Sequence, residues 1–339
     1  MKNRFGLTQP LRSLLAGLGV LLVGAPPAMA GDQVVLLTSW YAQAEQGGFY
    51  QALADGLYEK EGLEVTIRMG GPQVNGMQLL VSRQADFIVN YDLQILKSVE
   101  QGLPVVAVAA PFQGDPQGLM THADVSGLDG LNNKQVLVST SGQQTWWPWL
   151  KGKYQLQDSQ ARPYTFNLQP FLAGADTTQQ AYASSELFQA IKAGQQPNFF
   201  LFADAGYPPY GSTVATRQDL IEQHPQRVAA FVRASLEGWK RYLDNPAAGN
   251  ALIKRDNPNM SDELLAWGVS TLKQHQLLTR GDAALHGIGT MSDARWQATR
   301  DFMVEAGLLG AGAPWQKAYT TRFVQDLHVL PGSNQAASR

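Results

Sequence analysis

The chain has 339 residues, of which 44% are apolar and 16% charged, with a formal net charge of −2. That composition excludes a disordered chain, and the charge excludes the basic face that nucleic acid or an anionic membrane surface requires. There is no cysteine, so no disulfide framework exists, and a chain of this length can bury enough surface without one.

Lys2, Arg4 and Arg12 precede a short apolar run over residues 14–23, and APPAMA follows with Ala28 and Ala30 at small-residue positions before Gly31. This order predicts a secretory signal peptide over residues 1–30, cut after Ala30. The run is about half the roughly 20 residues of a membrane-spanning helix. Removing it leaves 23 basic against 28 acidic residues, a net charge of −5. Without a cysteine at the cut there is no lipoprotein anchor. The expectation is a monomer diffusing in a periplasm, and 309 mature residues suffice for two lobes of ordinary size.

Residues 34–40 (VVLLTSW) read as a buried strand. A helix is predicted over 47–62, with Phe49, Leu53, Leu57 and Tyr58 on one face and Gly62 as its stop. A half-buried strand over 63–69 follows, then a short helix over 76–84 and a strand over 86–90. A helix over 91–102 and a strand over 104–112 complete this unit. Strands alternating with helices in this way favour a mostly parallel sheet covered on both faces. A second unit opens with a strand over 134–140, then a loop turning helical over 141–155, and continues through 164–175 and 198–206. FQGDPQG and DAGYPPYGST, rich in glycine and proline, lie between the units. They read as two crossings between lobes. The last third is helical. Pro225 opens a helix with Val228, Phe231, Val232, Leu236, Trp239 and Leu243 on one face. Ser261 and Ser292 are positioned as caps of two more, and Gly307 as a stop. The boundaries expected are 31–115 with 212–330 for lobe one, 116–211 for lobe two, and a loose tail over 331–339.

Motifs for phosphate loops, nucleophile elbows and zinc sites are absent, and the five histidines have no metal-ligand spacing. No catalytic residue and no metal ligand is expected. Polar and aromatic residues instead gather at strand ends, where open α/β sheets bind ligands. They are Ser39, Trp40 and Tyr41; Asn90, Tyr91 and Asp92; Ser139, Thr140, Ser141, Gly142 and Gln143, whose N–H groups precede a helix; and Ser184, Ser185 and Glu186. Each set also has a structural reading as core, turn or helix first turn. Trp146, Trp147 and Trp149 either line a cleft or staple a lobe.

WYAQAEQGGFYQALADGLYEKEGLEVTI resembles the opening of solute-binding proteins in the nitrate, taurine and thiamine-pyrimidine-precursor group. SRQADFIVNYDLQILKSVEQGLPVVAVAA, GLDGLNNKQVLVSTSG and PQRVAAFVRASLEGWKRYLDNP are similar to its later segments, in the same order. The resemblance implies a two-lobed periplasmic-binding-protein fold of type II, each lobe a mostly parallel sheet flanked by helices. It also implies two hinge crossings, a small-molecule solute, an inner-membrane ABC permease as partner and no cofactor. Trp40 lies at the group's aromatic position, Tyr91 beside its second binding-strand end, and Glu186 in the segment that carries the pyrimidine-binding glutamate. These favour a small nitrogen heterocycle, with Trp40 and Tyr91 stacking, Glu186 orienting and Ser139 to Gln143 donating hydrogen bonds. A sulfonate, taurine or nitrate solute, or a sensing role, is the alternative. The group's pyrimidine-synthesising enzyme uses a lysine and a histidine where this chain carries Asn90 and Gln94, which argues against catalysis.

Overall fold

Runs of branched apolar residues pair here as parallel strands. The computed structural model describes residues 31–71, 74–164 and 167–330; the expected signal peptide and tail lie outside them. Among the described residues, ten strands form two five-stranded sheets: β1 (Asp32–Leu37), β2 (Leu63–Arg68), β3 (Phe87–Tyr91), β4 (Val105–Ala109), β5 (Gln117–Thr121), β6 (Gln135–Val138), β7 (Ala161–Pro163), β8 (Thr177–Tyr182), β9 (Asn198–Leu201) and β10 (Ser212–Arg217). The first sheet runs β2-β1-β3-β10-β4 and the second β7-β6-β8-β5-β9. β2, β1 and β3 are parallel, and β10 pairs antiparallel with both β3 and β4. The second sheet repeats the pattern: β7, β6 and β8 are parallel, and β5 pairs antiparallel with β8 and β9.

This symmetry has a simple origin. The chain leaves the first sheet after β4, crosses over 110–116, and enters the second sheet as β5. It returns over 202–211 and enters the first sheet as β10. Each crossing therefore delivers an antiparallel strand between the third and last strands of the sheet it joins. Neither β5 nor β10 was expected: QGLMT and STVATR are short, lack alternation and adjoin the glycine- and proline-rich crossings.

Elsewhere the elements fall near their expected places. The first strand ends at Leu37, which leaves Trp40 in a loop. The helix expected over 47–62 is two helices, Gly47–Ala54 and Leu57–Lys60, because Gly56 between them has φ of +63°. Ser261 accepts a hydrogen bond from the Leu264 N–H, as a cap should. Ser292 occupies the N-cap position of its helix without a side-chain capping bond; its hydroxyl donates to Asp282 at 2.6 Å.

The long helix Pro225–Asp244 carries the core of the first sheet's side. Val228, Phe231, Val232, Leu236, Trp239 and Leu243 are all buried. Phe231 stacks on both Tyr58 and Phe87. The helix that opens at Gly47 approaches unusually closely: a Cβ at Gly47 would lie 2.1 Å from the Tyr242 ring and one at Gly48 2.1 Å from the Trp239 ring. This close packing pins the short turn Ala44–Gln46 just before it. Trp146 and Trp147 are buried with Leu119, Val125, Val138 and Phe202. They staple the second sheet's side, and Trp149 packs against Phe202 and Tyr207.

Among the described residues, no helix is long and apolar enough to cross a membrane.

Candidate functional site

A cavity lies between the two sheets, lined by both and by the crossings. The first sheet's side contributes Ser39, Trp40, Gln43, Glu45, Gln46, Asn90 and Tyr91. The crossings contribute Phe112, Pro116 and Gly211. Tyr182 ends β8 and Ser212 begins β10. The cavity measures about 30 Å³, close to the volume of one water in the liquid.

The cleft is closed by contacts that span it. The Tyr91 and Tyr182 hydroxyls are hydrogen-bonded, and the Ser184 hydroxyl donates to Glu45. Trp267 donates its indole N–H to the Ala183 carbonyl at 2.8 Å. Burial pushes both tyrosine hydroxyls above the usual phenol range, so both are neutral and one must donate to the other.

Four of the expected residues, Ser39, Trp40, Asn90 and Tyr91, meet here. Trp40 sits in the loop after β1 with its ring 5.5 Å from that of Tyr41. Asn90 is 8% exposed, and its Oδ1 accepts the Tyr91 N–H at 2.8 Å. Tyr91 ends β3 against the cavity.

The others stand apart from the cavity in this closed arrangement. The Ser139 N–H donates to Gln180 Oε1 at 2.6 Å, the Gly142 N–H to Ser139 Oγ at 3.0 Å, and the Gln143 N–H to the Ser139 carbonyl. The amide groups expected to face a ligand thus serve their own turn. Thr140, Ser141 and Gln143 are exposed. Glu186 is similarly engaged: it accepts from the Tyr164 hydroxyl at 3.1 Å, the Tyr182 N–H at 2.8 Å and the Ser185 hydroxyl at 2.5 Å. It fixes the end of β8 and so places Tyr182.

The carboxylate that lines the cavity is Glu45, which sequence reasoning did not select. It is 6% exposed. Burial raises its carboxyl pKa to about 7; the bond from Ser184 works against the rise and the nearby Glu186 adds to it. An acidic residue two positions before a Gly-Gly pair was the available signal.

Two more buried carboxyls lie at the crossings, Asp115 on one of them and Asp92 packed against the other. Asp92 opens the helix after β3 and accepts the Tyr210 N–H at 2.8 Å. Asp115 accepts the Gln117 N–H at 2.9 Å. Burial raises Asp92 to about 6 and Asp115 to about 7, and the repulsion of Asp92 adds to the latter. Arg295 binds the two crossings together, donating to the Gln113 carbonyl at 3.2 Å and the Pro208 carbonyl at 3.0 Å.

A family model described as "NMT1/THI5 like" matches residues 43–249, more than half of the chain. The chain belongs to the NMT1/THI5-like family. It is 26% identical over 309 residues to the riboflavin-binding protein RibY of Chloroflexus aurantiacus, covering 86% of each chain. It is 24% identical over 243 residues to a formylaminopyrimidine-binding protein of Halalkalibacterium halodurans, covering 67% of this chain and 72% of that one. Its fold is that of the periplasmic aliphatic sulphonate binding protein SsuA from Escherichia coli, with a TM-score of 0.65 at 12% identity, covering 84% of this chain and 91% of that one. The NMT1/THI5-like chain therefore has the two-lobed periplasmic-binding-protein fold. Its family match begins at Gln43, so it includes Glu45, Asn90, Tyr91 and Tyr182 but not Trp40.

Proposed function

We propose that this chain is the periplasmic solute-binding component of an ABC importer, taking a small nitrogen heterocycle between its lobes. The lobes would be residues 31–115 with 212–330, and 116–211, hinged at the two crossings. The observation that carries this reading is the lining of the interlobe cavity. It holds four aromatic rings, three amide side chains and a carboxylate, and none of its twelve residues is Lys, Arg or His. A flat ring stacked on Trp40 or Tyr91 would gain about 0.5–1.5 kcal/mol beyond its area burial. An anion would meet no cation there and would lie beside Glu45.

The names of the two relatives support the same chemistry, since flavins and aminopyrimidines are both nitrogen heterocycles. The sulfonate alternative rests on fold likeness alone, and fold does not set the ligand. The role we infer is solute capture, as the names of these two relatives, both binding proteins, support. Delivery to the permease would follow closure, which requires only that the solute bind the closed form better than the open one. Export through a cleaved leader over residues 1–30 would place the chain in the periplasm.

The test is thermal unfolding of residues 31–339 against formylaminopyrimidine, riboflavin, taurine, ethanesulfonate and nitrate. A solute at 100 times its Kd stabilises by about 2.7 kcal/mol. A shift with a heterocycle supports the reading. A shift confined to sulfonates or nitrate refutes the heterocycle and leaves a binding protein for anions.

A further inference from the structure

Glu45 and Gln46 stand on the turn Ala44–Gln46, both facing the cavity and both nearly sealed from solvent, at 6% and 3% exposure. Gln46 Nε2 donates to Ser39 at 3.3 Å, while its Oε1 is buried without a hydrogen-bond partner. The Glu45 carboxylate takes a bond from Ser184, a residue of the second sheet's side. The turn cannot easily retreat, because the helix following it packs through Gly47 and Gly48 onto the rings of Tyr242 and Trp239. One wall of the cleft thus presents two adjacent, rigidly held acceptors.

We propose that Glu45, with Gln46 beside it, selects the solute: the cleft takes a neutral or cationic molecule that donates N–H bonds from an amino edge, and refuses sulfonates. The proposal rests on the cleft being the solute site. A buried acceptor without a partner costs free energy that a bound N–H group removes. A carboxylate gains most from such donors because the bonds are charge-assisted. The raised carboxyl of Glu45 agrees with this: burial leaves it short of compensating donors, and donors from a solute would favour its ionised form. Glu186 cannot do the same work without abandoning Tyr164, Tyr182 and Ser185. The Ser184 hydroxyl then acts as a placeholder that a solute's N–H replaces or joins.

The experiment measures formylaminopyrimidine, riboflavin and ethanesulfonate binding by calorimetry to the wild type, Glu45→Gln and Trp40→Ala, with the melting temperature of each free protein. The wild type is expected to bind a heterocycle at least tenfold more tightly than ethanesulfonate. Glu45→Gln should weaken the heterocycle about tenfold to a hundredfold and narrow its preference over ethanesulfonate, without lowering the melting temperature. A change in that ratio is something a merely structural role would not produce. If Glu45→Gln binds the heterocycle like the wild type while Trp40→Ala does not, the cleft is the site and Glu45 does not select. If the wild type prefers ethanesulfonate, the selection is also wrong. If Trp40→Ala changes nothing, the cleft reading falls and this inference falls with it. Should Glu45→Gln fail to fold, Glu45→Asp keeps the charge and withdraws it by one methylene, and the same loss of ratio is expected.

Discussion

Asp115 offers a direct measurement of what the buried crossings cost. It is 2% exposed, and its Oδ1 accepts the Gln117 N–H. Burial and then the neighbouring Asp92 hold its carboxyl at about 7, against about 3.9 in an unfolded chain. Between those values the folded protein keeps a proton that the unfolded chain has released. Stability from this group is therefore fully present below about pH 4 and is lost as the pH rises towards 7. Three pH units at about 1.4 kcal/mol each give a loss on the order of 4 kcal/mol. Asp115→Asn carries the neutral form at every pH. It should match the wild type near pH 4 and exceed it by up to about 4 kcal/mol at pH 8. Urea unfolding of both proteins at pH 4, 6 and 8 reads this out as separate midpoints. Stability–pH curves that stay parallel from pH 4 to 8 would refute the burial of a neutral Asp115.

Two further substitutions probe the frame around the cleft. Gly211→Ala places a Cβ 2.8 Å from Asp115 Cα at a φ of +85°; left-handed strain and overpacking together should cost about 2–5 kcal/mol, and a thermal midpoint equal to wild type contradicts the contact between crossings. Glu186→Gln turns an amide NH₂ towards one of three donors, Tyr164, Tyr182 N–H or Ser185. It should lower stability by about 1–3 kcal/mol even without solute, and a loss seen only with solute present would return Glu186 to the ligand.

Much of the fold was legible because its signals are local. The periodic apolar face of Pro225–Asp244, the branched strand runs and the two glycine- and proline-rich crossings each sit within a few neighbouring residues. β5 and β10 were not legible, because an antiparallel strand inserted after a crossing is defined by two partners distant in sequence. β8, TTQQAY, was obscured by its polar residues: Thr178, Gln179 and Gln180 are buried. The aromatic part of the cleft could be read, since Trp40 and Tyr91 end or follow strands. Of its polar part, Ser39 and Asn90 could be read in the same way, and Glu45 and Gln46 could not. In sequence Glu186 reads equally as a ligand-facing acid or a helix first-turn acid, and only the bond pattern shows that its own lobe engages it. Glu45 stands at no strand end and so was not singled out, and the packing of Gly47 and Gly48 on Tyr242 and Trp239 explains why it is sealed in.

The placement of these groups bears on why a solute would drive closure at all. A cavity of about 30 Å³ cannot admit a ring, since even benzene occupies an engineered cavity of about 150 Å³. The lobes must therefore part for a heterocycle to enter. Parting would separate Tyr91 from Tyr182 and Glu45 from Ser184, and would return the Glu45 carboxylate to water. Closing without a solute then requires burying that carboxyl against one serine hydroxyl and a nearby Glu186, which at neutral pH means either taking up a proton or burying a charge. Closing around a molecule that brings N–H donors avoids that penalty. The difference between those two closures is a differential affinity for the closed state, which is what a ligand needs in order to shift the equilibrium. An anionic solute would add to the penalty, so the same residue that favours closure on a heterocycle opposes closure on a sulfonate.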